Sequence, residues 1–226
     1  MEAELILIQQ NKRKTVTVSR QALQRMPYYL EHLKALHKDG VASVSSPTIA
    51  AELRFNEVQV RKDLASVSLV GGRPKTGFDV PELIQSIEAF LGCNNIDKAA
   101  LVGAGALGRA LLSYTGFEKY GLEIAVAFDT DSAVIGSRVR GTSVLSAEKA
   151  ASLCRRMGIK IGIICVPATA AQQVCDALVE GGVAAVWNFA PITLSAPKDI
   201  LLHNENMAAS LAMLSRHLKE KQLINA

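Results

Sequence analysis

Residues 98–114 read KAALVGAGALGRALLSY, and they decide the fold. Ala99 to Val102 form an apolar run, Gly103, Gly105 and Gly108 stand in a G-x-G-x-x-G frame, and Arg109-Ala110-Leu111-Leu112 opens a helical pattern. That order predicts a strand, a tight turn and a helix N-terminus. In such a turn the first glycine permits the bend, the second lets backbone approach a pyrophosphate, and the third lets helix press on strand. The helix's unpaired N–H groups then face the anion. Gly103, Ala104, Gly105, Ala106, Leu107 and Gly108 are therefore the candidate phosphate cradle. A second apolar run, GLEIAVAFDTD, ends at Asp129, about 20 residues beyond the last glycine, where a dinucleotide fold places its ribose-binding carboxylate. A carboxylate there favours NAD over NADP, while Arg138 and Arg140 leave a phosphate-bearing cofactor open.

Downstream, strands and helices alternate. Ser146 caps a helix through Met157, IKIGIICVP (159–167) is a continuous apolar strand, and a helix spans 170–180. Strands follow at 183–187 and near 200–202. Uninterrupted apolar strands between helices mean a doubly wound parallel sheet covered on both faces. Ligands bind beyond the carboxyl edge of such a sheet, which adds Val166, Pro167, Ala168 and Phe189 to the cofactor-binding candidates. A last helix, Asn206 to Glu220, carries an apolar seam of Met207, Leu211, Leu214 and Leu218. Periodicity alone leaves open whether it closes its own domain or packs on a second copy.

Ahead of the glycine loop the pattern is different. One helix starts at Ser19, and Pro27 sits where a second would begin. Ser46, followed by Pro47, reads as the N-cap of a short helix through Leu53. Arg54-Phe55 makes a turn, and Asn56 with Gln59 resembles a capping box for NEVQVRKDLASV. Two short helices joined by a tight turn form a helix-turn-helix. The second offers Gln59, Arg61 and Lys62, side chains that read base edges or phosphates. Arg73 and Lys75, in GGRPKTGF, suit a wing along the DNA backbone, so the DNA-binding candidates are Ser46, Asn56, Gln59, Arg61, Lys62, Arg73 and Lys75. Pro81 to Leu91 is a further amphipathic helix. The domain organisation read from these patterns is 1–92 winged helix-turn-helix, 93–205 dinucleotide-binding domain and 206–226 C-terminal dimerisation helix.

Composition sets the bounds. The 226 residues carry a net charge of +4 and 20% charged side chains, mildly basic and globular. Residues 1–80 hold twelve Lys/Arg against eight Asp/Glu, so the surplus lies toward the N-terminus. Asn11-Lys12-Arg13-Lys14 followed by TVTV reads as a terminal arm, with contact to nucleic acid as the alternative. Four cysteines show no C-x-x-C pair and no metal-ligand spacing with the four histidines, and no apolar run approaches a membrane span. A cytoplasmic protein without a metal site is the expectation.

Hydride transfer needs an acid or base beside the nicotinamide. His32 and His37 lie in the first domain, His203 and His217 stand alone near the C-terminus, and Tyr114 is followed four residues on by Glu118 where a lysine would be needed. The pattern therefore points to a dinucleotide that is read and not turned over. An NAD-dependent dehydrogenase with an accessory module, or a Rossmann-type sensor of another nucleotide such as CoA, are the competing readings.

With a helix-turn-helix unit ahead of a dinucleotide fold, the sequence resembles the Rex family of redox-sensing transcriptional repressors. The resemblance runs from about Ser19 through PYYLEHL, SSPTIAAEL, QVRKDL, VGAGALGRALL, AFDTD, CVPATAAQ and WNFAP. It implies a homodimer on a palindromic operator, with NADH and NAD as effectors. NADH would close the subunits and draw the recognition helices out of step with the DNA. It also implies exchange of the last helix between subunits, Tyr114 near the nicotinamide, and Arg61 and Lys62 on DNA. Two positions depart from many members: Glu31 stands where an arginine is common, and Asn206 where an aspartate is. The segment ASVSLVGGRPKTGF also differs from the family's usual wording there.

Overall fold

The computed structural model describes residues 18–74, 76–93 and 95–224. The chain separates into two compact units, residues 1–95 and 96–226. The basic stretch at residues 12–14 and the wing residue Lys75 lie outside the described residues.

In the first unit, helix α1 (Arg20–Lys38) begins at Ser19, whose Oγ accepts from the Ala22 N–H at 3.2 Å. It is one continuous helix, and the break expected at Pro27 does not occur. An interior proline loses one backbone hydrogen bond and costs about 3 kcal/mol. Met26, Tyr29, Leu30 and Leu33 are fully buried on either side of it, and their packing holds the helix through the defect. Strand β1 (Ser43–Val44) leads into α2 (Ser46–Leu53), and α3 (Glu57–Val67) follows after Arg54 in the left-handed conformation, φ 56°. The cap of α2 is Ser45, one residue before the expected Ser46. The Ser45 Oγ accepts from Thr48 N–H, whereas Ser46 is inside the helix and buried. Asn56 caps α3 as its spacing predicts, accepting from Gln59 N–H at 3.2 Å. Strand β2 (Phe78–Asp79) pairs antiparallel with β1, and between α3 and β2 the chain folds back through reciprocal Arg73–Gly77 hydrogen bonds of 2.7 and 2.9 Å. Helix α4 (Val80–Leu91) closes the unit, capped by Asp79.

The second unit is a seven-stranded sheet. Its strands are β3 (Asp97–Val102), β4 (Leu122–Asp129), β5 (Arg138–Val139), β6 (Thr142–Ser146), β7 (Ile161–Ile164), β8 (Ala185–Asn188) and β9 (Leu201–Asn204), in the spatial order β5-β6-β4-β3-β7-β8-β9. All pairings are parallel except β5 with β6. Leaving β5 aside, the order counted along the chain is 3-2-1-4-5-6, the doubly wound dinucleotide-binding topology. Helix α5 (Ala106–Ser113) covers one face, over Ala99, Leu101, Ala127 and Ile163. Helices α6 (Ala150–Met157) and α7 (Ala168–Glu180) belong to the other, with Ala100, Val102, Phe128 and Ile164. Two boundaries move relative to the sequence pattern: a 3₁₀ turn at Ala147–Lys149 separates Ser146 from α6, and α7 starts at Ala168, two residues early. Helix α8 (Met207–Ile224) ends the described chain.

Candidate functional site

Parallel strands β3 and β7 are neighbours whose helices leave to opposite faces, so a crevice opens where their loops diverge. Hydrogen bonds from Gly103 N–H to Phe128 O (2.8 Å) and from Cys165 N–H to Val102 O (2.8 Å) hold the strand ends together beneath it. The resulting cleft is about 210 Å³ and is lined by Gly103, Gly105, Asp129, Cys165, Val166 and Pro167, with Thr130, Ala147 and Ala170 among its other walls.

The three glycines have different physical reasons. Gly103 adopts φ +98°, and a Cβ on it would stand 2.5 Å from the Cys165 carbonyl oxygen. A Cβ on Gly108 would collide with the Gly103 carbonyl oxygen. Both are demanded by the fold itself. Gly105 is not: its φ of −72° suits any residue, and a Cβ there would meet nothing within 4 Å. The open ground in front of Gly105 and the N-terminus of α5 is a cradle that a side chain would fill. There the first N–H groups of the helix, at Ala106 and Leu107, have no intrahelical acceptor. An anionic pyrophosphate fits that chemistry.

Asp129 stands at the end of β4 with its carboxylate engaged. Its Oδ2 accepts from Ala104 N–H at 2.6 Å, and its Oδ1 from Thr130 and Asp131 N–H at 2.7 and 2.9 Å. The side chain thus fastens the glycine loop, and Oδ2, which accepts a single bond, keeps lone-pair capacity for a ribose hydroxyl.

Ala168 is the first residue of α7, after the N-cap Pro167. Tyr114 and Phe189 do not line the cleft. They are joined instead through an aromatic row that the sequence did not disclose. Tyr114 meets Phe117 edge-on at 5.0 Å, Phe117 meets Trp187 at 6.0 Å, and Trp187 meets Phe189 at 4.5 Å between ring centroids. Tyr114 is 61% exposed at the open end of the row. The Trp187 Nε1–H donates to Glu205 Oε1 at 3.1 Å, and the same oxygen lies 3.0 Å from His203 Nε2. His203 therefore does not stand alone. Its partner Glu205 stands just past the end of β9 and is engaged by Trp187 of β8 as well, a cross-strand arrangement that the residues around His203 do not disclose.

In the first unit, Asn56, Gln59, Arg61, Lys62 and Arg73 are exposed, whereas Ser46 is buried. Asp63, next to Lys62 on α3, is buried and triply held. Arg25 Nε and Nη2 donate to its two oxygens at 2.8 and 3.1 Å, and the buried Tyr29 hydroxyl donates to Oδ2 at 2.8 Å. These bonds fix α3 to α1. Separations of 34 and 38 residues hid them from any local pattern.

Comparison with known proteins agrees with both halves. Residues 17–65 match the family described as "Putative DNA-binding protein N-terminus", and residues 94–192 match "CoA binding domain". The redox-sensing transcriptional repressor Rex of Bacteroides thetaiotaomicron is 37% identical over 201 residues, covering 89% of this chain and 91% of its own. That of Porphyromonas gingivalis is 38% identical, covering 87% and 90%. Among solved structures, RSP in complex with beta-NAD+ and operator DNA gives a TM-score of 0.85 at 34% identity, over 94% of this chain and 97% of that one. RSP in complex with beta-NADH gives 0.80 at 33%, over 94% and 99%; RSP is described as a Rex-family repressor. This chain belongs to the Rex family of redox-sensing transcriptional repressors.

Proposed function

We propose that this protein represses transcription in the cytoplasm by binding operator DNA as a homodimer, and that NADH in the Gly103–Asp129 cleft releases it. The observation that carries the reading is the pairing of an exposed recognition face on α3 with a glycine loop whose Gly105 is left open, in a chain 34% identical to RSP, a protein seen with beta-NAD+ and operator DNA. NADH and NAD differ in the charge of the nicotinamide ring, and that difference is the signal. Gly105 and the α5 N-terminus take the pyrophosphate, Asp129 a ribose, Val166, Pro167 and Ala168 wall the site, and the Tyr114 end of the aromatic row, with Phe189 at its other end, serves the nicotinamide. Paired recognition helices then move out of step with major grooves one turn, about 34 Å, apart.

Thiol chemistry is a poor alternative sensor. Burial pushes the Cys154 thiol up to about 11 and Cys165, in the cleft wall, up to about 12, and raises Cys93 and Cys175 as well. A thiol kept protonated at neutral pH is a weak nucleophile. The nucleotide is read and not consumed, so the protein is a regulator and not a dehydrogenase.

The test is a gel shift on a palindromic duplex selected from a randomised pool, repeated across an NADH/NAD titration. NADH is expected to dissociate the complex at lower concentration than NAD, and equal action of the two would remove the sensing claim. Arg61→Ala should weaken DNA binding by about 1–3 kcal/mol without changing NADH binding. Titrations of NADH, NAD, NADPH and acetyl-CoA, followed by fluorescence of Trp187, decide the ligand. The match of residues 94–192 to a CoA binding domain makes acetyl-CoA the informative control.

For the dimer, the support is α8. Met207, Leu211, Leu214 and Leu218 are each 58–67% exposed in the single chain. We expect Leu211→Glu with Leu214→Glu to yield a monomer by analytical ultracentrifugation and to abolish binding to a two-half-site duplex. A dimer of unchanged strength would exclude this helix from the interface.

A further inference from the structure

We propose that Glu205 is a positioning residue of the switch: it ties the aromatic row at Trp187 to the start of α8, so that a nicotinamide docking on the row acts on the helix through which two copies pair. This assignment rests on the NADH-sensing and dimer readings above and names the residue that connects them.

Strand geometry assembles the link. Strands β8 and β9 run parallel, with Trp187 in register with His203 and Asn188 with Asn204. The ladder continues one residue further, since the Glu205 N–H donates to Asn188 O at 2.8 Å. Side chains alternate along an extended chain, so Glu205 rises on the same side as His203, beside the Trp187 ring. Its Oε1 accepts there from Trp187 Nε1 at 3.1 Å and from His203 Nε2 at 3.0 Å. Asn188 fixes the backbone beneath: it is fully buried, and its Nδ2 donates to Asn204 Oδ1 at 2.9 Å and to Ile192 O at 2.8 Å.

The two ends of the link reach different parts of the molecule. On one side, Trp187 stands between Phe117 and Phe189, with ring centroids 6.0 and 4.5 Å away. Ring contacts fix spacing but leave a ring able to slide, and the indole N–H, the one polar atom of the side chain, sets its orientation through the Glu205 bond. On the other side, Glu205 is followed directly by Asn206, the cap of α8. The Asn206 Oδ1 accepts from Ala209 N–H at 2.8 Å, and its carbonyl oxygen accepts from Ser210 N–H at 3.1 Å. A tryptophan ring displaced by a ligand on the row draws Oε1 with it or breaks the bond, and either event falls on the residue next to that cap.

The experiment measures affinity for the selected duplex by fluorescence anisotropy, without NADH and with NADH at saturation, on the full-length protein. Glu205→Ala should remain a dimer by analytical ultracentrifugation and bind DNA without NADH as the wild type does. The ratio of the two DNA affinities should shrink by about 2- to 30-fold, the range over which residues along a coupling network act. Coupling is reciprocal, so the ratio of NADH affinities for free and DNA-bound protein should shrink by the same factor. A merely structural role would lower the melting temperature and leave both ratios unchanged. Glu205→Gln keeps an acceptor oxygen for Trp187 and should restore the ratio. Trp187→Phe keeps a ring and loses the N–H, so it should show the same reduction, with no further loss in the W187F/E205A double variant. A wild-type ratio in Glu205→Ala overturns the proposal, as do a glutamine variant no better than alanine, reductions that multiply in the double variant, or a monomeric Glu205→Ala. Should Glu205→Ala fail to fold, Trp187→Phe and Glu205→Gln decide: a wild-type ratio in the first, or a reduced one in the second, overturns it equally. If NADH leaves the DNA affinity of the wild type unchanged, the sensing reading itself has failed. If the wild type responds and the variants respond alike, the link alone is wrong.

Discussion

Asp63→Ala is expected to destabilise the N-terminal unit by about 3–5 kcal/mol, the usual cost of removing one partner from a buried charge pair. The Asp63 side chain is 8% exposed and that of Arg25 16%, and the bidentate geometry is close to ideal. Removing the carboxylate strands a guanidinium and the hydroxyl of the fully buried Tyr29 without their acceptor. Asp63→Asn keeps the shape and one acceptor oxygen, so it should cost less than alanine. Because Trp187, the single tryptophan, lies in the other unit, its fluorescence is blind to this change. Circular dichroism should therefore show an early helical transition ahead of the tryptophan transition. Coincident transitions at the wild-type midpoint would sink the claim. DNA affinity should fall too, since Asp63 is the residue that anchors the helix carrying Arg61 and Lys62.

The same cluster gives a pH dependence. Burial, and then the hydrogen bond to Asp63, raise the Tyr29 phenol above its ordinary value of 10.0. A group whose folded value is raised contributes stability that is complete below the unfolded value and is lost as pH climbs beyond it. Stability of the first unit should thus hold to about pH 10 and decline above it. Tyr29→Phe should be less stable at neutral pH but flatter through the alkaline range, as read from urea midpoints at pH 8 to 11.

Gly105→Val should leave folding and DNA binding intact and remove the response to NADH. The backbone at Gly105 is allowed for any residue, and the space before it is empty, so the added side chain meets no protein atom. It does occupy the ground on which a pyrophosphate approaches the N-terminus of α5. Each charge-assisted hydrogen bond so lost is worth about 1.5–3 kcal/mol, a 10- to 150-fold weaker NADH affinity. Isothermal titration measures this directly, and a gel shift that no longer responds to NADH completes the result. Gly103→Ala and Gly108→Ala are the contrasting controls. Both should lower the unfolding midpoint of the second unit, one through positive φ and a clash with Cys165 O, the other through a clash with Gly103 O. A Gly105→Val protein that binds NADH like the wild type would remove the glycine loop from the proposed site.

Much of the second unit was legible because its signals are local. The bend after Val102 needs a glycine, α5 must press on β3 through another, and Asp129 follows at a spacing set by one strand-helix-strand passage. The cap at Asn56 was legible for the same reason: a side-chain oxygen and an N–H three residues on meet in any helix start. Ser45 displaced Ser46 by one residue because both can cap, and only the packing of α2 chose which would be buried. Pro27 misled because the local rule for proline is overridden when flanking residues are buried on both sides. The aromatic row from Tyr114 to Phe189 joins the residue after α5, the turn that follows it and the end of β8, and no periodicity links them.

What the chain determined by itself was the alternation of strands and helices in the second unit and the carboxyl-edge position of its glycine loop, since backbone sterics and hydrogen-bond periodicity act over a few residues. Tertiary structure alone decided that Asp63 points inward to Arg25 and Tyr29, that Gly105 is the glycine the fold does not need, and that Val18 and Ser19 line one groove with Gln59 and Lys62. Each of those facts depends on how whole helices and strands are set against one another, and that setting is fixed by burial of side chains far apart in sequence.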